Sequence, residues 1–163
     1  MASVLIALGG NVGDVRATFQ KAIANICGMT QAGLVARSSD YETPPVSDIP
    51  QGNFVNAAIE IDTDLDPHAL LFTLHKIERK FGRDRAAEER WGPRALDLDI
   101  IVYDDVVMRK PELVLPHPGA TQRAFVLVPL AEIAPERVIA GKTVAEHLAK
   151  LSTDGIVKLA ALS

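Results

Sequence analysis

The fold is decided by residues 54–82, which read FVNAAIEIDTDLDPHALLFTLHKIERKFG. Over the first nine of these residues every second side chain is aliphatic, from Val55 to Ile61. That period is typical of a strand with one buried face. Asn56 lies on the opposite face of this strand and shares it with Phe54.

The second part of the same stretch predicts a helix. Asp66 and Pro67 favour its start, because an aspartate caps free backbone amides and a proline fits the first helical turn. Gly82 is typical of a helix end. The side chains that recur at helical spacing, and that we expect to be buried, are Leu70, Leu71, Leu74, Ile77 and Phe81.

The neighbouring segments extend this pattern in both directions. The predicted elements are a strand at residues 3–8 stopped by a tight turn at residues 9–13, a helix capped by Asp14, a strand at residues 33–42, a loop at residues 43–53, a strand at residues 96–103, a turn into residues 106–108 and a helix at residues 121–131. The order strand, helix, strand, strand, helix, strand predicts an α+β ferredoxin-like sandwich. In that fold we expect an antiparallel sheet with helices on one face and long functional loops.

Length and composition are those of a single globular domain that covers residues 1–163. The chain is 48% hydrophobic and 23% charged, which argues against a disordered or fibrous protein. Its one cysteine, Cys27, excludes an internal disulfide framework and a cysteine-rich zinc site. The sequence has no basic signal-peptide start and no apolar run of the roughly 18–20 residues that a bilayer requires. We therefore expect a soluble cytoplasmic protein, and a monomer, since no long apolar stripe is predicted at the surface.

The charge is distributed unevenly along the chain. The net charge is −4, but residues 76–94 hold seven basic and four acidic side chains and are therefore +3, which leaves −7 for the rest. A mildly acidic protein with one concentrated basic segment suits a small polyanion better than a long nucleic acid.

Asp97 and Asp99 are the strongest candidates for a metal site. Residues two apart on a strand point the same way, so both carboxylates share one face, while Leu96, Leu98, Ile100 and Val102 fill the other. Two such carboxylates without a Cys or His cluster favour Mg²⁺. An isolated Asp-x-Asp is more often a hydrated strand face. Here an arginine-rich loop leads directly into the pair, as a metal–phosphate site requires.

That loop contains Arg83, Arg85, Arg90 and Arg94, together with the only tryptophan of the chain, Trp91. Arginine binds phosphate in a bidentate manner, and a loop bracketed by glycine and proline can close over a ligand. Balance by neighbouring glutamates would make the same residues an ordinary solvated segment. The tryptophan favours a ligand, because a large aromatic ring in a polar loop needs something to pack against.

Five motifs in a fixed order resemble those of the 6-hydroxymethyl-7,8-dihydropterin pyrophosphokinase family of folate biosynthesis. They are ALGGN at residues 7–11, YETPP at residues 41–45, FVNAA at residues 54–58, RWGPRALDLDII at residues 90–101, and Pro116–His117 with Arg123. The resemblance spans roughly residues 4–135 and fades beyond Gly141, where we expect a structural tail. It implies a ferredoxin-like fold and transfer of the β,γ-diphosphate of ATP to the pterin hydroxymethyl group, which releases AMP.

The resemblance also implies roles for individual residues. The expected catalytic residues are Arg83, Arg94, Asp97 and Asp99, of which Asp97 and Asp99 hold two Mg²⁺ ions. The expected ATP-binding residues are Glu78, Arg85, Trp91, Arg94, Ile100, His117 and Arg123. The expected pterin-binding residues are Thr43, Pro44, Val46, Phe54, Asn56, Trp91 and Phe125. His75 stands where the family often has glutamine, and Pro118 stands where an aromatic residue often follows the histidine.

Two other classes of protein share some of these features. A ferredoxin-like RNA-binding module would stack bases on its sheet, but 5% aromatic residues and a net charge of −4 are poor for such a partner. A metal-dependent nuclease could use Asp97 and Asp99, but it would need more acidic residues or a histidine base. We therefore expect small-molecule substrates, with neither nucleic acid nor membrane as a partner.

Overall fold

The computed structural model describes residues 1–30, 32–82 and 92–162. In chain order the elements are β1 (Ala2–Gly10), α1 (Val15–Thr30), β2 (Gly33–Arg37), β3 (Tyr41–Thr43), β4 (Phe54–Thr63), α2 (Pro67–Lys80), β5 (Asp97–Tyr103), β6 (Met108–Lys110), β7 (Leu113–Leu115), α3 (Ala124–Ile133), β8 (Val138–Ile139), β9 (Lys142–Thr143), α4 (Val144–Leu148) and β10 (Val157–Lys158). A short 3₁₀ turn, Ala120–Gln122, precedes α3.

Six of these strands form one antiparallel sheet. Its order is β10–β3–β4–β1–β5, and β2 pairs with β4 alongside β3. β1 lies between β4 and β5, and its Ile6 lies opposite Ile59 of β4 and Ile100 of β5. Both the order of the elements and the order of the strands are those of a ferredoxin-like sandwich. The predicted α+β fold is therefore confirmed.

Helices α1 and α2 pack on one face of the sheet and enclose the larger core. The carboxylate of Asp66 accepts a 2.8 Å hydrogen bond from the Ala69 amide and caps α2, as predicted. The core contains Phe19, Ile26, Leu70, Leu74 and Ile77 from the helices and Ile6, Leu8, Ile59, Ile61 and Leu98 from the strands. Of the helix stripe expected from the sequence, Leu71 and Phe81 are partly buried against the same core.

The second face of the sheet is covered in part by α3 and α4. Leu127 and Leu130 of α3 pack with Leu5 and Ala58 of the sheet, and Val144 of α4 joins the same cluster. The expectation of helices on one face only was therefore wrong. The α3 segment is so apolar that it buries the second face instead of lying at the surface.

A β-bulge alters the alternation of β5. Leu5 pairs with Val102 and Ile6 with Ile100, so Ile101 is an extra residue between two paired positions. A bulge shifts the side chains beyond it to the other face. Val102 consequently packs with Leu5 and Ile101 on the second face, and its predicted place beside Ile100 was wrong.

The strand expected at residues 33–42 is split into β2 and β3. The Ser38 hydroxyl accepts a 2.8 Å hydrogen bond from the Ala58 amide, a position that a backbone carbonyl holds in a regular ladder. Asp40, which is 4% exposed, turns inward to Arg16 at 2.8 Å and Arg37 at 3.1 Å. These polar contacts interrupt the strand, because both side chains need buried partners that a continuous ladder would not supply.

The end of β1 also differs from the expected turn. Gly9 and Gly10 belong to the strand, and the turn follows them. A Cβ atom on Gly10 would lie 2.6 Å from the backbone oxygen of Ala95, which real Cβ atoms do not tolerate. Glycine therefore lets the segment before β5 approach the end of β1 closely.

The C-terminal residues pack against the sheet edge. β10 pairs with β3, and the Ala160 carbonyl accepts a 2.7 Å hydrogen bond from Arg16. Gly155, at φ +82°, lies against the ring of Pro44, to which a Cβ on that glycine would come within 3.3 Å. In the described part of the chain, no helix is long and apolar enough to cross a bilayer.

Replacement of Asp40 by asparagine should destabilise the fold by about 3 kcal/mol, because it leaves two arginines without the charge that compensates them. The measurement is urea unfolding followed by circular dichroism. Asp105→Asn, an exposed carboxylate at the turn after β5, is the matched control and should leave the midpoint unchanged. Equal midpoints for the two variants would contradict this account.

Candidate active site

A cavity lies on the second face of the sheet, beside the first turn of α3. Its lining residues come from β1, β3, β4, β5 and α3, from the segment before β5 and from the loops that follow β3 and β7. They are Ala7, Leu8, Gly9, Thr43, Pro44, Val46, Phe54, Asn56, Arg94, Asp97, Asp99, Ile101, His117, Arg123, Phe125 and Val126. The empty space of the cavity, together with the solvent at its open mouth, is about 710 Å³.

The floor of the cavity is a row of three residues across the centre of the sheet. Gly9 of β1 pairs with Asn56 of β4 on one side and with Asp97 of β5 on the other. Neighbouring strands lie about 4.8 Å apart, so the backbones of Asn56 and Asp97 are roughly 10 Å apart across the glycine. Because glycine has no side chain, the space between these two polar groups stays open. The adjacent row, in which Ala7 pairs with Asp99, likewise has only a small residue at its centre.

One end of the cavity is apolar with a single buried amide. Phe54 and Phe125 contribute aromatic rings, and Pro44 lines the wall from the loop after β3. The Asn56 amide donates a 2.7 Å hydrogen bond to the hydroxyl of Thr43, and both residues are buried. This bond fixes the amide orientation, with the Asn56 carbonyl oxygen directed towards Gly9, since a Cβ there would lie 3.0 Å from it. Aromatic rings beside an oriented amide suit a flat heterocycle.

The other end of the cavity is charged. Asp97 and Asp99 occupy the same face of β5, as predicted, and Arg94 lies 3.6 Å from the Asp97 carboxylate. Arg123 contributes a second guanidinium from the start of α3. Among the described residues no group of three His, Cys, Asp or Glu side chains could hold a metal ion. Two hard carboxylates suit Mg²⁺, which completes its shell with water and phosphate oxygens. The residues present therefore fit such an ion.

His117 stands beside the charged end as a neutral ring. Burial lowers its pKa, and the positive charge of Arg123 lowers it further, while Asp97 acts in the opposite direction. Its Nδ1 accepts a 3.2 Å hydrogen bond from the Gly119 amide. A neutral imidazole that accepts at Nδ1 carries its proton on Nε2, so this ring has one hydrogen-bond donor to offer.

Most of the residues predicted for the site come together in this cavity. Arg94, Asp97, Asp99, His117, Arg123, Thr43, Pro44, Val46, Phe54, Asn56 and Phe125 all line it. Two do not. The Glu78 carboxylate is buried under β5, where it accepts a 2.7 Å hydrogen bond from the Leu98 amide, and the Ile100 side chain belongs to the larger core. Arg83, Arg85 and Trp91 lie outside the described residues.

Residues that sequence reasoning did not assign to the site are mainly small or apolar. They are Ala7, Leu8, Gly9, Ile101 and Val126. Gly9 could have been found, because it belongs to one of the quoted motifs and two glycines at a strand end are unusual. Ile101 could also have been found, because it follows Asp97 and Asp99 at the same alternate spacing on β5. His75 and Pro118, which differ from the residues common in the family, do not line the cavity.

The protein has a ferredoxin-like fold with a small-molecule site on its sheet. The cavity suits a ligand with a flat ring at one end and negative charge at the other. A family model described as 7,8-dihydro-6-hydroxymethylpterin-pyrophosphokinase (HPPK) matches residues 5–135. A 2-amino-4-hydroxy-6-hydroxymethyldihydropteridine pyrophosphokinase from Methylorubrum extorquens is 47% identical over 98% of the chain and 99% of its own length. One of the same name from Pseudomonas aeruginosa is 40% identical over 96% of each. The chain belongs to the HPPK family.

Solved structures agree on the fold. A crystal structure of Plasmodium falciparum HPPK-DHPS with pteroate matches 91% of the chain with a TM-score of 0.70 at 14% sequence identity. A further HPPK-DHPS crystal structure, in complex with substrates, gives a TM-score of 0.69 at 13% identity. The chain spans 42% and 43% of the length of these two proteins. At such identities the likeness supports the architecture, and the family assignment rests on the sequence matches.

The His117 ring should titrate below its ordinary pKa of 6.5, because burial and Arg123 oppose its charged form. The unfolded chain then binds this proton more readily than the folded protein. The free energy of unfolding should therefore fall as the pH drops from about 6.5 through the folded-state pKa. NMR titration of the ring measures the shift, and His117→Gln should remove its part of the pH dependence. A ring that titrates at or above 6.5 would contradict the buried neutral state.

Proposed function

We propose that the chain transfers the β,γ-diphosphate of ATP to the hydroxymethyl group of 6-hydroxymethyl-7,8-dihydropterin in folate biosynthesis, with release of AMP. The observation that carries this proposal is the continuity of the cavity. One space connects an aromatic end with an oriented amide to a charged end with two carboxylates and two arginines. The membership of the chain in the HPPK family supplies the identity of the two substrates.

The apolar end would bind the pterin. Phe54 and Phe125 would stack on the ring, while the Asn56 carbonyl oxygen would accept a hydrogen bond from the ring edge. Thr43 acts on the ring through Asn56, because its hydroxyl holds the amide in one orientation. Pro44 and Val46 would close the side of the pocket from the loop after β3. By resemblance to the family, Trp91, which is not among the described residues, would cover the ring.

The charged end would bind the triphosphate of ATP. Asp97 and Asp99 would hold two Mg²⁺ ions, which neutralise phosphate charge and lower the proton affinity of the attacking hydroxyl. Arg94 and Arg123 would bind phosphate oxygens, and the Nε2 proton of His117 is a further donor. By family resemblance, Arg83 would be a further catalytic residue. Arg85, Glu78 and Ile100 would bind the nucleotide. Ile100 would do so through its backbone, since its side chain is buried.

The reaction is an in-line displacement at the β-phosphorus. The hydroxymethyl oxygen of the pterin forms a bond to that phosphorus, and the bond from the phosphorus to the oxygen bridging the α-phosphate breaks. AMP leaves with the bridging oxygen, and the hydroxyl proton passes to solvent. The residues of the chain position both substrates and offset the charge that moves to the leaving group.

We also propose that the enzyme acts as a cytoplasmic monomer. Both substrates are small soluble metabolites, which supports the location. Among the described residues the exposed apolar side chains are scattered, which supports the monomer. The RNA-binding alternative has no support from the relatives, whose names are those of pyrophosphokinases.

The protein incubated with ATP, Mg²⁺ and 6-hydroxymethyl-7,8-dihydropterin should form AMP only when the pterin is present. Asp97→Asn should lower kcat by about 100-fold or more, because the metal site loses one of its two charged ligands. The measurement is chromatographic quantification of AMP. Asp105→Asn should match the wild-type rate. Unchanged turnover in Asp97→Asn would show that this carboxylate does not hold the metal. If the wild type formed no AMP that depends on the pterin, the proposed diphosphate transfer would be wrong.

Arg94→Ala should lower kcat by about 100-fold and change the Kd for ATP by only a few-fold. A guanidinium beside the transferring phosphates is most valuable when charge develops in the transition state. Steady-state kinetics and equilibrium binding of a non-hydrolysable ATP analogue measure the two effects. Arg109→Ala, an exposed arginine on β6, serves as the control. Loss of affinity equal to the loss of rate would mean that Arg94 binds the ground state.

A further inference from the structure

Asn11 lies between the two halves of the site although it does not line the cavity. It follows β1 directly, and its side chain contacts both the segment before β5 and the loop after β3. The Oδ1 atom accepts a 2.9 Å hydrogen bond from the Arg94 amide. The Nδ2 atom donates to the Gln51 side chain at 2.9 Å and to the Gly52 carbonyl at 3.0 Å. One carboxamide thus connects two separate loops.

The partners fix which end of the carboxamide faces which loop. The Arg94 amide can only donate, and the Gly52 carbonyl can only accept, so the side chain has a single orientation that satisfies both. The backbone strengthens the first contact, since the Asn11 amide donates a 2.9 Å hydrogen bond to the Arg94 carbonyl. The Asn11 Oδ1 atom therefore bonds to Arg94, and the Nδ2 atom bonds to the loop after β3.

Both partners carry residues of the cavity. Arg94 itself lines the charged end, and the loop that contains Gln51 and Gly52 carries Pro44 and Val46 of the apolar end. The start of this loop is held through Thr43, which bonds to Asn56. Asn11 holds its far end, eight and nine residues later along the chain. Displacement of that end would move the wall formed by Pro44 and Val46.

We infer that Asn11 is a positioning residue whose donor end sets the pterin pocket and whose acceptor end sets Arg94. This inference rests on the proposed function, since it assigns the two effects to the two substrates. The two effects can be separated by substitutions that change one or both ends of the Asn11 carboxamide. Aspartate has nearly the same shape and keeps an acceptor for the Arg94 amide, but it cannot donate to the loop and its charge repels the Gly52 carbonyl. Leucine removes both ends.

The experiment compares Asn11→Asp and Asn11→Leu with the wild type in the AMP assay. Asn11→Asp should raise KM for the pterin about tenfold, because the hydrogen bond to the Gly52 carbonyl is lost and a negative charge faces that oxygen, while kcat and KM for ATP stay within about twofold. Asn11→Leu should raise KM for the pterin similarly and also lower kcat about tenfold. Hydrogen exchange of residues 44–53 should be faster in both variants, a readout that needs no substrate.

Two further variants complete the test. Gln51→Ala removes one loop partner without touching Asn11 and should raise KM for the pterin about threefold at unchanged kcat. Asn25→Asp makes the same chemical change on α1, away from the cavity, and should match the wild type. An Asn11→Asp variant that lowers kcat alone, or that leaves KM and loop exchange unchanged, would overturn the inference. Absence of AMP with the wild type would instead refute the proposed function, and loop exchange would still decide whether Asn11 anchors the loop.

Discussion

The absence of side chains at the end of β1 is the constraint on which the site depends. Gly9 separates Asn56 from Asp97 within one row of the sheet, and this gap is where the two halves of the cavity meet. A methyl group at Gly9 would press on the Asn56 oxygen at 3.0 Å. At Gly10 it would press on the Ala95 backbone, which carries the chain towards β5. In a β-sheet the register of the strands determines which residues stand side by side, so pairing alone places these residues in one row.

Among the residues that the structure describes, the positive and negative side chains of the cavity are equal in number. Two aspartates face two arginines across the charged end, and His117 stays neutral because it is buried near Arg123. Divalent cations and a polyphosphate could enter together without leaving a large unbalanced charge. This arrangement also explains why the net charge of the chain is a poor guide to its ligand. The net value is −4, while the charged side chains of the cavity are balanced in number among the described residues.

The sequence predicted the fold well wherever local pattern and tertiary structure agree. The alternation of residues 54–62 and the capped helix at Asp66 both appear as expected, since a strand with one apolar face and a helix with one apolar stripe have few ways to pack. The position of Asp97 and Asp99 on the same face of β5 was predictable for the same reason.

The rest depended on interactions that local patterns do not reveal. The bulge at Ile101 arises from pairing with a distant strand, so the position of Val102 could not be read from alternation. The break between β2 and β3 depends on Ser38 and Asp40, whose partners lie elsewhere in the chain. The role of Asn11 is hidden similarly, because its partners lie 40 and 83 residues away. The cited motif contained this asparagine, but motif membership says nothing about what its amide touches.

The contact between Gly155 and Pro44 has a consequence for synthesis of the protein. β10 and Gly155 support the strand and loop that form the apolar wall, yet they lie beyond residue 135, where the match to the family model ends. On a ribosome, the paired strands β4, β1 and β5 can assemble while these later residues are still in the exit tunnel. The wall around Pro44 obtains its outer support only after they emerge. The nascent chain would therefore acquire its fold before its pocket is complete.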